Sequence, residues 1–184
     1  MLILSVFYAQ LEKEIQNEAK TCFGSDDEPI VDPQVSLASQ KKKTLLPDSP
    51  QRFDSCVCIL GKQSFTSGRR YWVVQVGSGS ENWDLGVAQE SINRKGAITV
   101  RPENGYWAIC RRKGGSLSAC TGPSVTLNLH EIPKKVSIFL DYEEGSVSFY
   151  DAEAKTHIYT YGVGVFTHRW PLGGGIVIVR CTPS

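Results

Sequence analysis

Hydrophobic and polar positions along this chain follow two different periods. From Met1 to about Lys20 the apolar side chains Leu4, Tyr8, Leu11, Ile15 and Ala19 recur at steps of three and four, with Glu12, Lys13, Glu14 and Lys20 on the other side. That spacing predicts a short N-terminal helix. Gly24-Ser25-Asp26-Asp27-Glu28-Pro29 then reads as an acidic, turn-rich linker, and Pro33, Pro47 and Pro50 punctuate a further stretch holding Lys41-Lys42-Lys43. From Arg52 onward the period drops to two. Short runs rich in Val, Ile, Phe, Tyr and Trp lie between turn signals, the pattern of an all-β sandwich or barrel and not of alternating βαβ units. In Tyr71-Trp72-Val73-Val74-Gln75-Val76 the alternation puts Trp72, Val74 and Val76 on one face, and the run stops at Gly77-Ser78-Gly79-Ser80. Val136, Ile138, Leu140 and Tyr142 likewise share a face. Glu143-Glu144-Gly145 then leads into Ser146 to Asp151, which predicts an antiparallel hairpin with Gly145 at positive φ. No fixed-period repeat is visible, which excludes a propeller or solenoid.

The 184 residues are enough for one domain of ordinary size and too few for two full ones. Twenty Lys+Arg against nineteen Asp+Glu leave a net charge of +1, which gives no electrostatic footprint for nucleic acid. The apolar opening Met1 to Tyr8 is too short to span a bilayer and has no basic region before it, so no membrane association is expected and the chain is read as soluble and cytoplasmic. Of six cysteines, Cys56 and Cys58 alternate with Ser55 and Val57, and no C-x-x-C pair exists. Reduced, structural thiols and no metal site are expected.

Catalytic motifs are missing. Gly77-Ser78-Gly79 lacks the third glycine of a phosphate loop, and Glu81 beside it would repel a phosphate. Gly173-Gly174-Gly175 precedes a strand pattern, Ile176 to Val179, so no helix dipole is available there. The histidines, His130, His157 and His168, lie in separate segments without ligand spacing. Asp141, Glu143 and Glu144 could supply paired carboxylates, but a hairpin tip favours a solvated turn.

Taken in order, several strings carry a family resemblance: Leu46-Pro47-Asp48-Ser49-Pro50-Gln51-Arg52-Phe53-Asp54, Val57-Cys58-Ile59-Leu60-Gly61, Phe65-Thr66-Ser67-Gly68-Arg69-Arg70-Tyr71-Trp72, Trp83-Asp84-Leu85-Gly86-Val87, Arg94-Lys95-Gly96, Glu103-Asn104-Gly105-Tyr106-Trp107, and Phe139-Leu140-Asp141-Tyr142 continuing through Tyr150. In order and spacing over about 46–161 they closely resemble the B30.2 (PRY-SPRY) domain of tripartite-motif ubiquitin ligases and butyrophilins. The resemblance implies a bent antiparallel β-sandwich, a concanavalin-like jelly roll. It divides the chain into a helix and linker over 1–28 and a PRY-SPRY domain over 29–184, with a PRY part of about 29–52 that looks shortened. The core is expected to hold Trp72, Trp83, Leu85, Trp107, Phe139, Leu140 and Phe149.

The same resemblance implies a recognition module without catalytic residues or cofactor. The ligase activity would lie outside this chain, and a coiled coil in the parent protein would pair two copies. The ligand would sit in a groove at one end of the sandwich, lined by Asp84 and the segment after Trp107. Cys110 and Arg112 stand where antibody-binding members carry aromatic anchors. Arg101, Arg111, Arg112 and Lys113, with Arg169 and Trp170, would form a cationic rim suited to an acidic protein segment. An exposed hairpin end would carry Arg111 to Lys113 equally well, and Asp84 equally fits a satisfied structural acid. Two other readings remain open, a butyrophilin-like sensor of phosphorylated metabolites, whose ligand-touching histidine is replaced by Cys56, and a secreted toxin-like domain.

Overall fold

The computed structural model describes residues 53–56, 58–60, 65–76, 82–112, 115–162 and 175–181, with backbone alone for 59 and 175–181. The expected N-terminal helix, the PRY stretch 29–52, Lys113, Arg169 and Trp170 lie outside the described residues.

Alternation of apolar and polar side chains becomes ten strands among the described residues: β1 (Cys58–Leu60), β2 (Arg69–Gln75), β3 (Trp83–Gln89), β4 (Tyr106–Arg111), β5 (Leu117–Ala119), β6 (Val125–Leu127), β7 (Lys135–Asp141), β8 (Ser146–Asp151), β9 (Thr156–Tyr161) and β10 (Gly175–Cys181). They build two antiparallel sheets, one ordered β1-β10-β3-β4-β5-β6 and the other β2-β7-β8-β9. The all-β sandwich expected from the sequence is the observed architecture.

Its core lies between the sheets. Trp83, Leu85 and Val87 of β3, Trp107 and Ile109 of β4, and Leu117 of β5 meet Trp72 of β2, Val136, Ile138 and Leu140 of β7, Val147 and Phe149 of β8, and Tyr161 of β9. Phe149 and Tyr161 pack edge to face, with ring centroids 6.3 Å apart. Phe139 is the exception to the expected core. Successive side chains of a strand point to opposite faces, so with Leu140 inward Phe139 takes the outer face, half-buried, in register with Tyr71.

The expected hairpin forms, with Asp141 opposite Ser146 and Gly145 at φ 69°. The carboxylates at its tip are not simply solvated. Asp141 is buried, accepting a hydrogen bond from the Glu144 amide at 2.9 Å and an ion pair from Arg69 Nε at 2.9 Å. Glu143 accepts the Gly68 amide at 2.7 Å. These acids lock β2 to the β7–β8 turn.

On its other side the six-stranded sheet is covered by the 92–101 segment, whose Ile98 and Val100 pack, together with Phe53 and Leu60, on Ala88, Ile92 and Tyr106. Small residues on β3 allow neighbouring backbone to come close. A Cβ at Gly86 would stand 2.1 Å from the Trp107 carbonyl oxygen and 2.5 Å from Ala108 Cα. Gly86→Ala should therefore cost about 3 kcal/mol or prevent folding, while Gly96→Ala, at φ 72° with nothing within 4 Å of the added Cβ, should cost about 1–2 kcal/mol. Urea denaturation checks the order, and equal losses would contradict it.

Candidate functional site

The end of the sheet built by the start of β3 and the end of β4 gathers polar groups on one face. Asp84 and Cys110 stand directly opposite each other in the β3–β4 ladder. Alternation sends both to the face away from the Trp83–Leu85–Val87 core. Cys120, just past β5, joins them through its amide, which donates to the Ala108 carbonyl at 2.9 Å and places its thiol beside Cys110. Cys110 and Cys120 are buried and unbridged, and Val100 packs against the pair.

Asp84 is 1% exposed. A carboxylate so deep needs a cation or donors, and Arg112 supplies the charge. Its Nη2 donates to Asp84 Oδ1 at 2.6 Å, while Nη1 donates to the Trp83 carbonyl at 3.1 Å and the Arg111 carbonyl at 2.9 Å. The guanidinium thus uses three of its five N–H groups to clamp the β3 and β4 ends, while the side chain stays half-exposed. Burial works against the charge of Arg112, but the hydrogen bond and field of Asp84 outweigh it and raise its pKa. The hydrogen bond from the Cys120 thiol, opposed by burial and aided by the Arg112 charge, lowers the pKa of Cys110. Cys120, as donor and buried, is pushed far up.

The sequence-derived site residues divide accordingly. Asp84, Cys110 and Arg112 come together. Arg111 alternates to the side of Trp107 and Ile109, away from them. Arg101 is exposed and leans over Gly122, whose Cβ position is 3.8 Å from Arg101 Nη1, two residues beyond Cys120. Cys120 was not among the candidates. Its signal is the β4–β5 register, Ile109 opposite Ala119, which no local motif announces.

The expectation of reduced thiols at Cys56 and Cys58 is corrected. The two are joined as a disulfide with Cα atoms 5.7 Å apart, a separation within disulfide range.

Residues 69–168 match the SPRY domain family and residues 33–65 match PRY, the SPRY-associated domain. The chain belongs to the SPRY family. Together the PRY and SPRY segments make a B30.2 domain, a kind of recognition module that is generally non-catalytic and generally binds protein ligands. The chain is 46% identical to "Nuclear factor 7, brain" of Xenopus laevis over 135 residues, 73% of this chain and 22% of that protein. It is 50% identical to "E3 ubiquitin-protein ligase TRIM58" of Homo sapiens over 116 residues, 63% of this chain and 24% of that protein. The chain therefore spans less than a quarter of either relative's length. The TRIM65 PSpry domain shares the SPRY fold, with a TM-score of 0.52 and 22% identity over 69% of this chain and 66% of that one.

The SPRY sandwich is tied behind the site by Tyr161, whose hydroxyl crosses from the opposite sheet and donates to the Ala108 carbonyl at 2.6 Å. Burial, first of several causes, pushes its pKa well above the ordinary phenol value. Tyr161→Phe leaves that carbonyl short of one donor and should cost about 1–2 kcal/mol, whereas Tyr159→Phe should stay within about 0.5 kcal/mol. Paired urea melts measure both, and an equal cost would contradict the inter-sheet role.

Proposed function

We propose that this chain is the substrate- or pathogen-recognition domain of a tripartite-motif-like E3 ubiquitin ligase in innate immunity, working in the cytoplasm and binding a protein through the Asp84–Arg112 end of the sandwich. The observation that carries the reading is the kinship with an E3 ubiquitin-protein ligase. The ligase chemistry belongs to the rest of such a protein, and the B30.2 domain chooses what is brought to it.

The geometry supports a protein ligand with an acidic segment. Arg112 keeps two N–H groups beyond its three bonds among the described residues, and their direction is fixed because the planar guanidinium is held at Asp84. A preorganised fork loses little entropy on meeting a carboxylate. Arg101 adds a second exposed cation, and Lys113, Arg169 and Trp170 would extend the rim.

A partner captured from cytosolic lysate, then purified, provides the test. It should bind the isolated domain directly, about tenfold more weakly to Arg112→Gln and to Arg101→Glu, with folding unchanged by circular dichroism. In the full-length parent, deleting this domain should abolish ubiquitination of that partner while leaving self-ubiquitination intact. Binding unaffected by both substitutions would remove the proposed surface. Heat on titrating a phosphorylated metabolite, lost in Arg112→Gln, would replace the protein ligand with a small-molecule one.

A further inference from the structure

We infer that Cys110, Cys120 and Asp84 form a binding site for a single zinc ion, with Arg112 as the outer group that orients the carboxylate and balances the charge. One donor atom from each of the three residues lies within 4.8 Å of the others, all three residues being buried. Around zinc the thiolates lie at about 2.3 Å and the carboxylate oxygen at about 2.0 Å, which separates donors in a tetrahedron by about 3.5–3.8 Å. Small side-chain rotations close the remaining gap. The donors come from β3, β4 and the residue after β5, which are laddered together, so the ion needs no rearrangement of backbone.

Charge accounts for the choice of ion. In the empty cluster two neutral thiols accompany one carboxylate and one guanidinium, a sum of zero. Zinc uptake replaces the two thiol protons, Zn2+ + 2 Cys–SH → Zn(S–Cys)2 + 2 H+, with the Asp84 carboxylate as third ligand. Two thiolates, a carboxylate, a dication and the Arg112 cation again sum to zero. The buried site is neutral in both states. Paired thiolates select a soft or borderline ion, and a carboxylate among them favours zinc over monovalent copper. Water takes the fourth position, reached from the side where Cys110 keeps 9% of its surface.

One further feature fits a ligand set. Arg112 grips Asp84 Oδ1, as outer partners of metal-bound carboxylates do.

The test uses the full chain, reduced and metal-free, with zinc and cobalt as probes. One equivalent of zinc should bind, releasing two protons as read by calorimetry in buffers of different ionisation enthalpy, and affinity should rise with pH. Cobalt should give thiolate-to-metal charge-transfer absorption. The Cys110→Ser/Cys120→Ser variant should lose the bound equivalent and the cobalt band, and Arg112→Gln should bind zinc about tenfold more weakly. Absence of stoichiometric uptake by the reduced wild-type chain overturns the assignment without recourse to any variant. Undiminished uptake in the double-serine variant also overturns it, by placing the ion on other cysteines, and unchanged affinity in Arg112→Gln removes the charge balance on which it rests.

Discussion

A carboxylate sits 1% exposed at the start of a central β-strand, and much of the surrounding arrangement answers to it. Transfer of an ionised group from water to such a place costs several kcal/mol unless charge and hydrogen bonds replace the lost hydration. Asp84 obtains its cation from the neighbouring strand. Because Cys110 is its register partner, the residue two steps on shares that face, and Arg112 folds back over the strand end to reach it. The same guanidinium takes the Trp83 and Arg111 carbonyls, so one side chain satisfies the acid and closes the ladder's end. A positive group half-buried for structural reasons is thereby presented at fixed geometry on the surface.

Behind that surface a hydrogen bond ties the two sheets of the sandwich together. The Ala108 carbonyl accepts two hydrogen bonds, from the Cys120 amide within its own sheet and from the Tyr161 hydroxyl of the other. It is the point where inter-sheet packing and the position of the thiol pair depend on one atom. Gly86 next to it allows β4 to approach β3 closely. A packed interior of this kind can carry polar side chains at the sheet end in fixed positions.

The sequence made part of this legible. The β7–β8 hairpin could be read because alternation and turn chemistry agree there, and its bounds came out within a residue. Phe139 was misplaced because adjacent bulky residues, Phe139 and Leu140, cannot both face one core. The acids of the 141–144 turn looked solvated, since nothing local shows that Arg69 and the Gly68 amide reach them from β2 and its approach. At the site, motif order located Asp84 and the segment after Trp107, but a string of letters presents Arg111 and Arg112 as equivalent cations. Strand alternation separates them, and the ion pair with Asp84 gives Arg112 its place. Cys120 was illegible for the same reason, because strand register and not sequence spacing brings it to Cys110.

Asp84 and Arg112 act as one unit at this end of the sheet, and a double-mutant cycle on stability measures that most directly. Asp84→Asn, Arg112→Gln and the double variant are compared with wild type by urea denaturation at neutral pH. A coupled pair predicts that the double variant loses less than the sum of the singles, by about 1 kcal/mol or more. Losses that add within about 0.3 kcal/mol would show that the two side chains do not depend on each other and would contradict the account.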